Sequence, residues 1–306
     1  MLLVSNIAAP ASTRRRSALK RALRARDLWF IQAANGKELR KARKDPSYGV
    51  PLRGKRVLVT GASSGIGEAA AREFGRLGAK VIVVARRREE LEAVAASIRA
   101  EGGEAEAITC DLRDFEAVDK LAEMVVARFG GVDVLVNNAG HSIRRPAAES
   151  LERWHDFERI MQINFFAPLR LTRGLLPGML ERGDGHVINV ASLAVVNQVA
   201  PYFAAYAAAK AALSIATRIM GFELRRNGVH FSALCYPLVR TDMIAPTGEY
   251  DRIATLSPEE AAEWMTLAAR VRPIRIIPRF SGTLAFFNAV SPKRVDYFFR
   301  KSGIRF

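Results

Sequence analysis

The sequence has 306 residues, 49% hydrophobic and 25% charged, which fits one large α/β domain with extensions or two small domains and excludes a globally disordered chain. Its formal net charge is +16, with the excess at the ends: residues 1–56 hold 15 Lys/Arg against 3 acids and residues 270–306 hold 9 against 1, so the body between is mildly acidic. Basic flanks on such a body suit an anionic surface or ligand and argue against a nucleic-acid groove built into the fold; Cys110 and Cys235 give no disulfide framework, and His141, His155, His186 and His230 no metal pair.

Residues 1–51 read as a basic N-terminal extension, separate from the rest of the chain. Met1 to Ala11 is apolar but too short to span a membrane, and no basic residue precedes it as in a secretory signal. From Arg14 to Arg26 the chain is Arg-rich, with Leu19, Leu23, Trp29 and Phe30 spaced like one helix face. That pattern fits an interfacial amphipathic helix, an organelle transit peptide or a solvated basic arm packing loosely on the domain. Pro46 and Pro51 mark a linker into a domain spanning 52–279.

The domain opens with an apolar run, Val57-Leu58-Val59, that stops at Thr60 and Gly61, and a helical stretch begins after Gly67. Gly61, Gly65 and Gly67 between strand and helix have the logic of a dinucleotide turn. One glycine permits the reversal, one clears the way for a pyrophosphate, and one lets helix pack on strand. The free N–H groups of the new helix then face the phosphates. Strand and helix alternate from there: strands over 80–85, 105–110, 132–136, 187–191 and 229–235, helices over 68–77, 87–100, 115–129 and 202–226, and a long helix or a pair within 151–181. Continuous apolar strands between amphipathic helices predict a parallel sheet covered on both faces, with ligands at the C-terminal strand ends. The uncharged stretch 187–209 contains Asn189, Asn197, Gln198 and Pro201 and reads as strand, loop and helix start, not as a membrane span.

Chemistry-bearing residues fall at those strand ends. Arg86 follows the second strand, where an arginine accommodates a ribose 2′-phosphate; Arg87 and Arg88 are beside it. Asp111 follows the third strand, where an acid can cap the next helix. Asn137-Asn138-Ala139-Gly140 ends the fourth. Tyr206 and Lys210 are four apart, on one helix face, so an ammonium beside the phenol is expected to lower its pKa and ready it for proton transfer. Ser192, at the end of the fifth strand, is placed to hydrogen-bond a substrate oxygen.

Together these features resemble the short-chain dehydrogenase/reductase family over about residues 52–245. The resemblance implies a doubly wound, mostly parallel, Rossmann-like single domain that binds NADP(H) with no metal. It assigns cofactor contacts to Gly61, Ser63, Ser64, Gly65, Ile66, Gly67, Arg86, Asp111, Asn138, Tyr206, Lys210, Pro237 and Thr241. It assigns catalysis to Asn164, Ser192, Tyr206 and Lys210, with Asn164 holding a water linked to the lysine. Segments 142–145, 155–159, 237–241, 243–247 and 255–260 look more narrowly like bacterial long-chain fatty acyl-CoA reductases. That likeness implies reduction of a long-chain acyl thioester to an aldehyde; the alternative is a long-chain ketone or 3-oxoacyl reductase or alcohol dehydrogenase. Departures from the family pattern are His141 after the Asn-Asn-Ala-Gly block, a serine–tyrosine spacing one residue longer, and Leu238 where glycine is frequent.

Residues 238–270 are expected to form a substrate lid, and 280–306 a basic, aromatic tail. Its mixture of cations with Phe286, Phe287, Tyr297, Phe298, Phe299 and Phe306 suits an anionic membrane surface, or ordinary packing on the body or a partner subunit. The expectations are a cytoplasmic enzyme with peripheral membrane contact, a homo-oligomer, a lipid carbonyl substrate and no nucleic-acid partner.

Overall fold

Seven strands, β1 (Arg56–Thr60), β2 (Lys80–Ala85), β3 (Glu104–Thr109), β4 (Val134–Asn137), β5 (Gly185–Ser192), β6 (Val229–Tyr236) and β7 (Arg275–Ile276), form one sheet in the order β3-β2-β1-β4-β5-β6-β7. All neighbours are parallel, with Val57 opposite Val81 on one side and Val134 on the other. The computed structural model describes residues 29–33, 36–245, 250 and 253–302. The apolar start 1–11, the Arg-rich segment 14–26 with Leu19 and Leu23, Pro246, Thr247, Arg305 and Phe306 lie outside the described residues.

Burial on both faces explains the continuous apolar strands. Val57 and Val59 of β1 enter one core layer and Leu58 the other, as the two-residue period of a strand requires. The first layer is covered by α2 (Gly65–Arg76) and α3 (Arg88–Ala100), the second by α4 (Phe115–Phe129) and α6 (Ala167–Arg182). Asp114 caps α4 by accepting from the N–H groups of Glu116 and Ala117, and Gly130 ends it in the left-handed region. The stretch 151–181 is a pair of helices, α5 (Trp154–Met161) and α6, joined without a break through a π-turn at Gln162–Phe166. Residues 187–209 resolve into β5, the short α7 (Leu193–Asn197), a loop and the start of α8 (Ala204–Leu224). Among the described residues no helix is long and apolar enough to cross a membrane.

The described part of the N-terminal extension and the second half of the expected lid both pack on the first core layer. Helix α1 (Lys37–Lys44) buries Leu39 and Ala42 in the first core layer, and Arg43 pairs with Glu263 at 2.7 Å. Ahead of it, Ala33 bridges Pro278 in antiparallel fashion, and Arg279 donates to the carbonyls of Ala33 (3.3 Å) and Trp29 (3.2 Å). The second half of the supposed lid is also core. Helix α9 (Pro258–Val271) starts with a Ser257/Glu260 capping box and buries Ala261, Ala262 and every residue from Trp264 to Ala269. Only 238–257 therefore remains for a lid.

Beyond β7 the chain forms α10 (Ser281–Val290) and α11 (Pro292–Ser302). Helix α10 leans on α7, with Asn288 Nδ2 donating to Gln198 Oε1 at 3.1 Å.

Candidate active site

The order of the strands reverses between β1 and β4, so the loops at their C-terminal ends diverge and leave a crevice. The glycine turn fills its first wall. Gly61 has φ +67°, and a Cβ there would stand 2.8 Å from Ala139 Cα. At Gly67 a Cβ would stand 2.6 Å from Asn138 Nδ2. Both positions therefore admit only hydrogen. Ser64 is the N-cap of α2 in extended conformation with no side-chain capping bond, so the first amides of the helix are not closed off by their own cap. The side chain of Ile66 packs into the core, which leaves only its backbone at the turn.

The adjacent wall is pinned by Thr60, whose importance the sequence reading missed. Its Oγ1 accepts from the N–H groups of Asn138 and Ala139, both at 3.0 Å, and donates to Val136 O at 3.2 Å. Asn138 Nδ2 returns a bond to Thr60 O at 2.9 Å. Asn137 points the other way and begins a buried relay: its Nδ2 donates to Asn189 Oδ1 (2.8 Å), and Asn189 Nδ2 to Thr217 Oγ1 (2.8 Å). A hydroxyl ending an apolar strand was the available signal.

At the end of β2, Arg86 is exposed and Arg87 reaches back to the turn, donating to Ser63 Oγ at 3.2 Å. The sequence singled out Arg86; the structure brings both arginines to the turn's side of the crevice. Asp111 does not cap α4, since Asp114 does. It accepts instead from Arg113, whose guanidinium holds its carboxyl below the usual range, helped at longer reach by Arg86. His141 is pulled down first by desolvation and then by the charges of Arg86 and Arg113.

Asn164 and Lys210 meet beside Gly140, Tyr206 lies next to Lys210, and Ser192 hydrogen-bonds Tyr206. A Cβ added at Gly140 would stand 2.7 Å from Asn164 Oδ1 and 3.3 Å from Lys210 Nζ. Asn164, fully buried in the π-turn, donates to the carbonyls of His141 (2.8 Å) and Ile160 (3.0 Å). Lys210 Nζ donates to Val190 O at 2.8 Å and sits 5.9 Å from the centre of the Tyr206 ring. The expected lowering of the phenol pKa is not found. Crowding of its hydroxyl end pushes Tyr206 up to about 12, only partly offset by a hydrogen bond with Ser192, although the residue as a whole is half-buried. Burial lowers Lys210 to about 8. Two groups of opposite charge type are thus both driven toward their neutral forms. At neutral pH the tyrosine carries its proton, the form a donor needs.

Pro237 and Thr241 follow β6. Thr241 overhangs the turn, its Cγ2 lying 3.1 Å from where a Gly65 Cβ would be. Val239 bridges Leu256 in parallel, with Arg240 N donating to Leu256 O (2.9 Å), so a two-strand neck closes the base of 241–255. A cavity of about 740 Å³ lies elsewhere, lined by Lys37, Ser214, Arg218 and Arg275 among others, and none of the converging side chains reaches it. Among the described residues no group of three or more His, Cys, Asp or Glu could hold a metal ion.

With this geometry in hand, comparison with known proteins is specific. The family model described as short chain dehydrogenase matches residues 55–251. The chain is 56% identical to a fatty acyl-CoA reductase of Mycobacterium tuberculosis over 81% of its own length and 84% of the relative's. It is 44% identical to a fatty acyl-CoA reductase of Acinetobacter baylyi over 79% and 81%. Among solved structures it resembles an actinorhodin polyketide ketoreductase variant crystallised with NADPH, at TM-score 0.67 and 32% identity, covering 74% of this chain and 97% of that one.

Proposed function

The chain belongs to the short-chain dehydrogenase family and is an oxidoreductase; from that premise we propose that it is an NADPH-dependent reductase of a lipid carbonyl, a long-chain acyl-CoA thioester reduced to the aldehyde. The chain of contacts from Asn164 and Lys210 beside Gly140 to Tyr206 and Ser192, next to the glycine turn, carries the reading. The names of the relatives and the NADPH of the ketoreductase support the substrate class and the cofactor.

The residues present fit a dinucleotide phosphate. Gly61, Gly65 and Gly67 let the turn close tightly against Asn138, Ala139 and Thr241, and Ser64, Ile66 and the rest of the α2 N-terminus offer amides. Arg86, Arg87 and Ser63 would meet a 2′-phosphate, Asp111 the adenine side, and Pro237 the nicotinamide end. When bound, the cofactor supplies a hydride. The chain does the rest. Tyr206 gives its proton to the carbonyl oxygen as charge develops there, and Ser192 donates a hydrogen bond to the same oxygen. Lys210, held by Val190 O, would position the ribose, and Asn164 would hold a water from which the phenol is reprotonated. Hydride and proton convert the thioester to a hemithioacetal, and its collapse breaks the C–S bond to give aldehyde and free thiol. Peripheral contact with an anionic membrane and homo-oligomeric assembly complete the reading.

The test is NADPH oxidation by purified protein with a long-chain acyl-CoA, a 3-oxoacyl-CoA and a simple ketone, with thiol release followed in parallel. Thiol appearing with NADPH loss on the acyl-CoA is the expected result. Oxidation on the 3-oxoacyl-CoA alone, without thiol, would replace this reading with a ketone reductase.

A further inference from the structure

Helix α10 contains no charged residue, yet its outer face is bare. Thr283, Phe286, Phe287 and Val290 follow one another at helical spacing, and the last three are 64%, 55% and 68% exposed. Helix α11 repeats the arrangement with Arg294, Tyr297, Phe298 and Lys301; the two rings are 65% and 61% exposed, while Val295 and Phe299 turn inward. Four cations (Lys293, Arg294, Arg300, Lys301) frame these rings against one acid, Asp296. Just ahead of α10, Arg279 stacks under the exposed ring of Trp29 at 4.6 Å. Phe286 and Phe287 lie edge to face at 5.9 Å, and large exposed rings recurring on two successive helices are unusual on a surface that faces only water.

The inner side of the same helix meets the site. Ala285 of α10 packs with Leu193, Val196 and Ile277 on an apolar cluster that includes Ala191 and Cys235, and α7 begins at the residue after Ser192. One helix diameter, about 10 Å, separates the bare face from the wall of the crevice.

We propose that the outer faces of α10 and α11 are a monotopic attachment surface for an anionic lipid bilayer, placed so that an acyl chain passes along α7 to Ser192 and Tyr206 without crossing water. The purpose of the surface rests on the lipid-carbonyl reading; its existence does not. The cations decide between occupants. A two-fold contact between copies of this chain would set the same cationic frame against itself, whereas anionic headgroups neutralise it while the rings enter the acyl boundary.

The test is flotation of the full chain, without substrate or cofactor, with vesicles of phosphatidylcholine alone or mixed with phosphatidylserine. Binding is expected on the mixed vesicles only, weakening as salt rises. The pairs Phe286→Ser/Phe287→Ser and Tyr297→Ser/Phe298→Ser should each lower it about tenfold or more. Lys293→Gln/Arg294→Gln, which leaves every ring in place, should lower it less and flatten its salt dependence. Absence of binding, equal binding to both vesicles, or undiminished binding by variants with native circular dichroism would overturn the proposal. So would light scattering that shows a wild-type dimer turned to monomer by the ring substitutions. Vesicle binding by a protein that releases no thiol from acyl-CoA would sink the substrate assignment and leave the surface standing.

Discussion

On the wall built from β1 and β4, the side chains of Thr60 and Asn138 are tied to the backbone. Thr60 clamps two successive amides, Asn138 binds back to the strand that Thr60 ends, and Gly61 and Gly67 leave no space for a side chain. The side that carries Ser192 and the stretch 193–203, backed by α10, is built otherwise. Gln198 and Tyr202 hold positive φ values of 56° and 72° without being glycine, and exposed Phe286 and Phe287 stand where an ordinary helix would be polar. Tyr202 is kept in place from outside, by Arg145 N donating to its carbonyl (2.8 Å) and by Arg144 over its ring at 4.8 Å. The contrast separates two demands. A dinucleotide requires one backbone path, so that wall is fixed by hydrogen bonds; a particular carbonyl substrate is selected by loops and by the surface behind them.

The sharpest way to test this division lies where the walls meet. Tyr206→Phe keeps the ring and removes the proton donor, so kcat should fall by about 10²-fold or more, while NADPH titrated by fluorescence binds as before. Loss of NADPH binding instead would place Tyr206 in the first wall. Next in size, Arg86→Asp puts a carboxylate at the end of β2. The ratio of catalytic efficiencies with NADPH and NADH should fall by about 10- to 100-fold, with no change in carbonyl preference. An unmoved ratio would shift the role to Arg87, which already touches Ser63.

Thr60→Val leaves the amides of Asn138 and Ala139 without their acceptor and should cost about 1–3 kcal/mol in urea unfolding. A neutral result would show that the first wall does not depend on its clamp. The remaining stability effect is a gain. Lys210 is buried and lowered from its ordinary 10.5 to about 8, so the folded protein binds fewer protons there than the unfolded chain between those values. Its contribution to stability therefore rises with pH across that window, and below it the buried ammonium opposes folding. Lys210→Met should abolish turnover while raising stability at pH 7 by about 1–3 kcal/mol. In the wild type, reduction should decline as pH passes about 8 and the ammonium discharges.

Legibility in the sequence divides along the same line. Strand β2 and helix α4 have the bounds that hydrophobic periodicity gave them, and the glycine turn lies where its spacing put it, because these features depend on neighbours in sequence. The π-turn at Asn164 was hidden, since one extra residue in a helical turn leaves the apolar pattern almost unchanged. Helix α1 looked like a solvated arm because KELRKARK has only Leu39 and Ala42 to bury, and no local pattern tells that both find α9. Helix α9 itself was taken for a lid because its length lies after the last recognisable strand-end motif. The phenol's pKa was misjudged for a related reason: spacing places Lys210 on the face of Tyr206, but not which carbonyl its ammonium chooses.

The bridge between Ala33 and Pro278 has a consequence for how the chain is made. A ribosome delivers the N-terminal segment first, yet its partners, α9 and the stretch around Arg279, come more than 200 residues later. Leu39 and Ala42 must wait, exposed, while the sheet assembles, and closing so long a loop is slow relative to local pairing. Docking of 29–33 and 36–44 is therefore expected to be a late event in folding, and its reversal an early one in unfolding. In hydrogen exchange that segment should open as a unit of its own, at a lower free energy than the strands it covers.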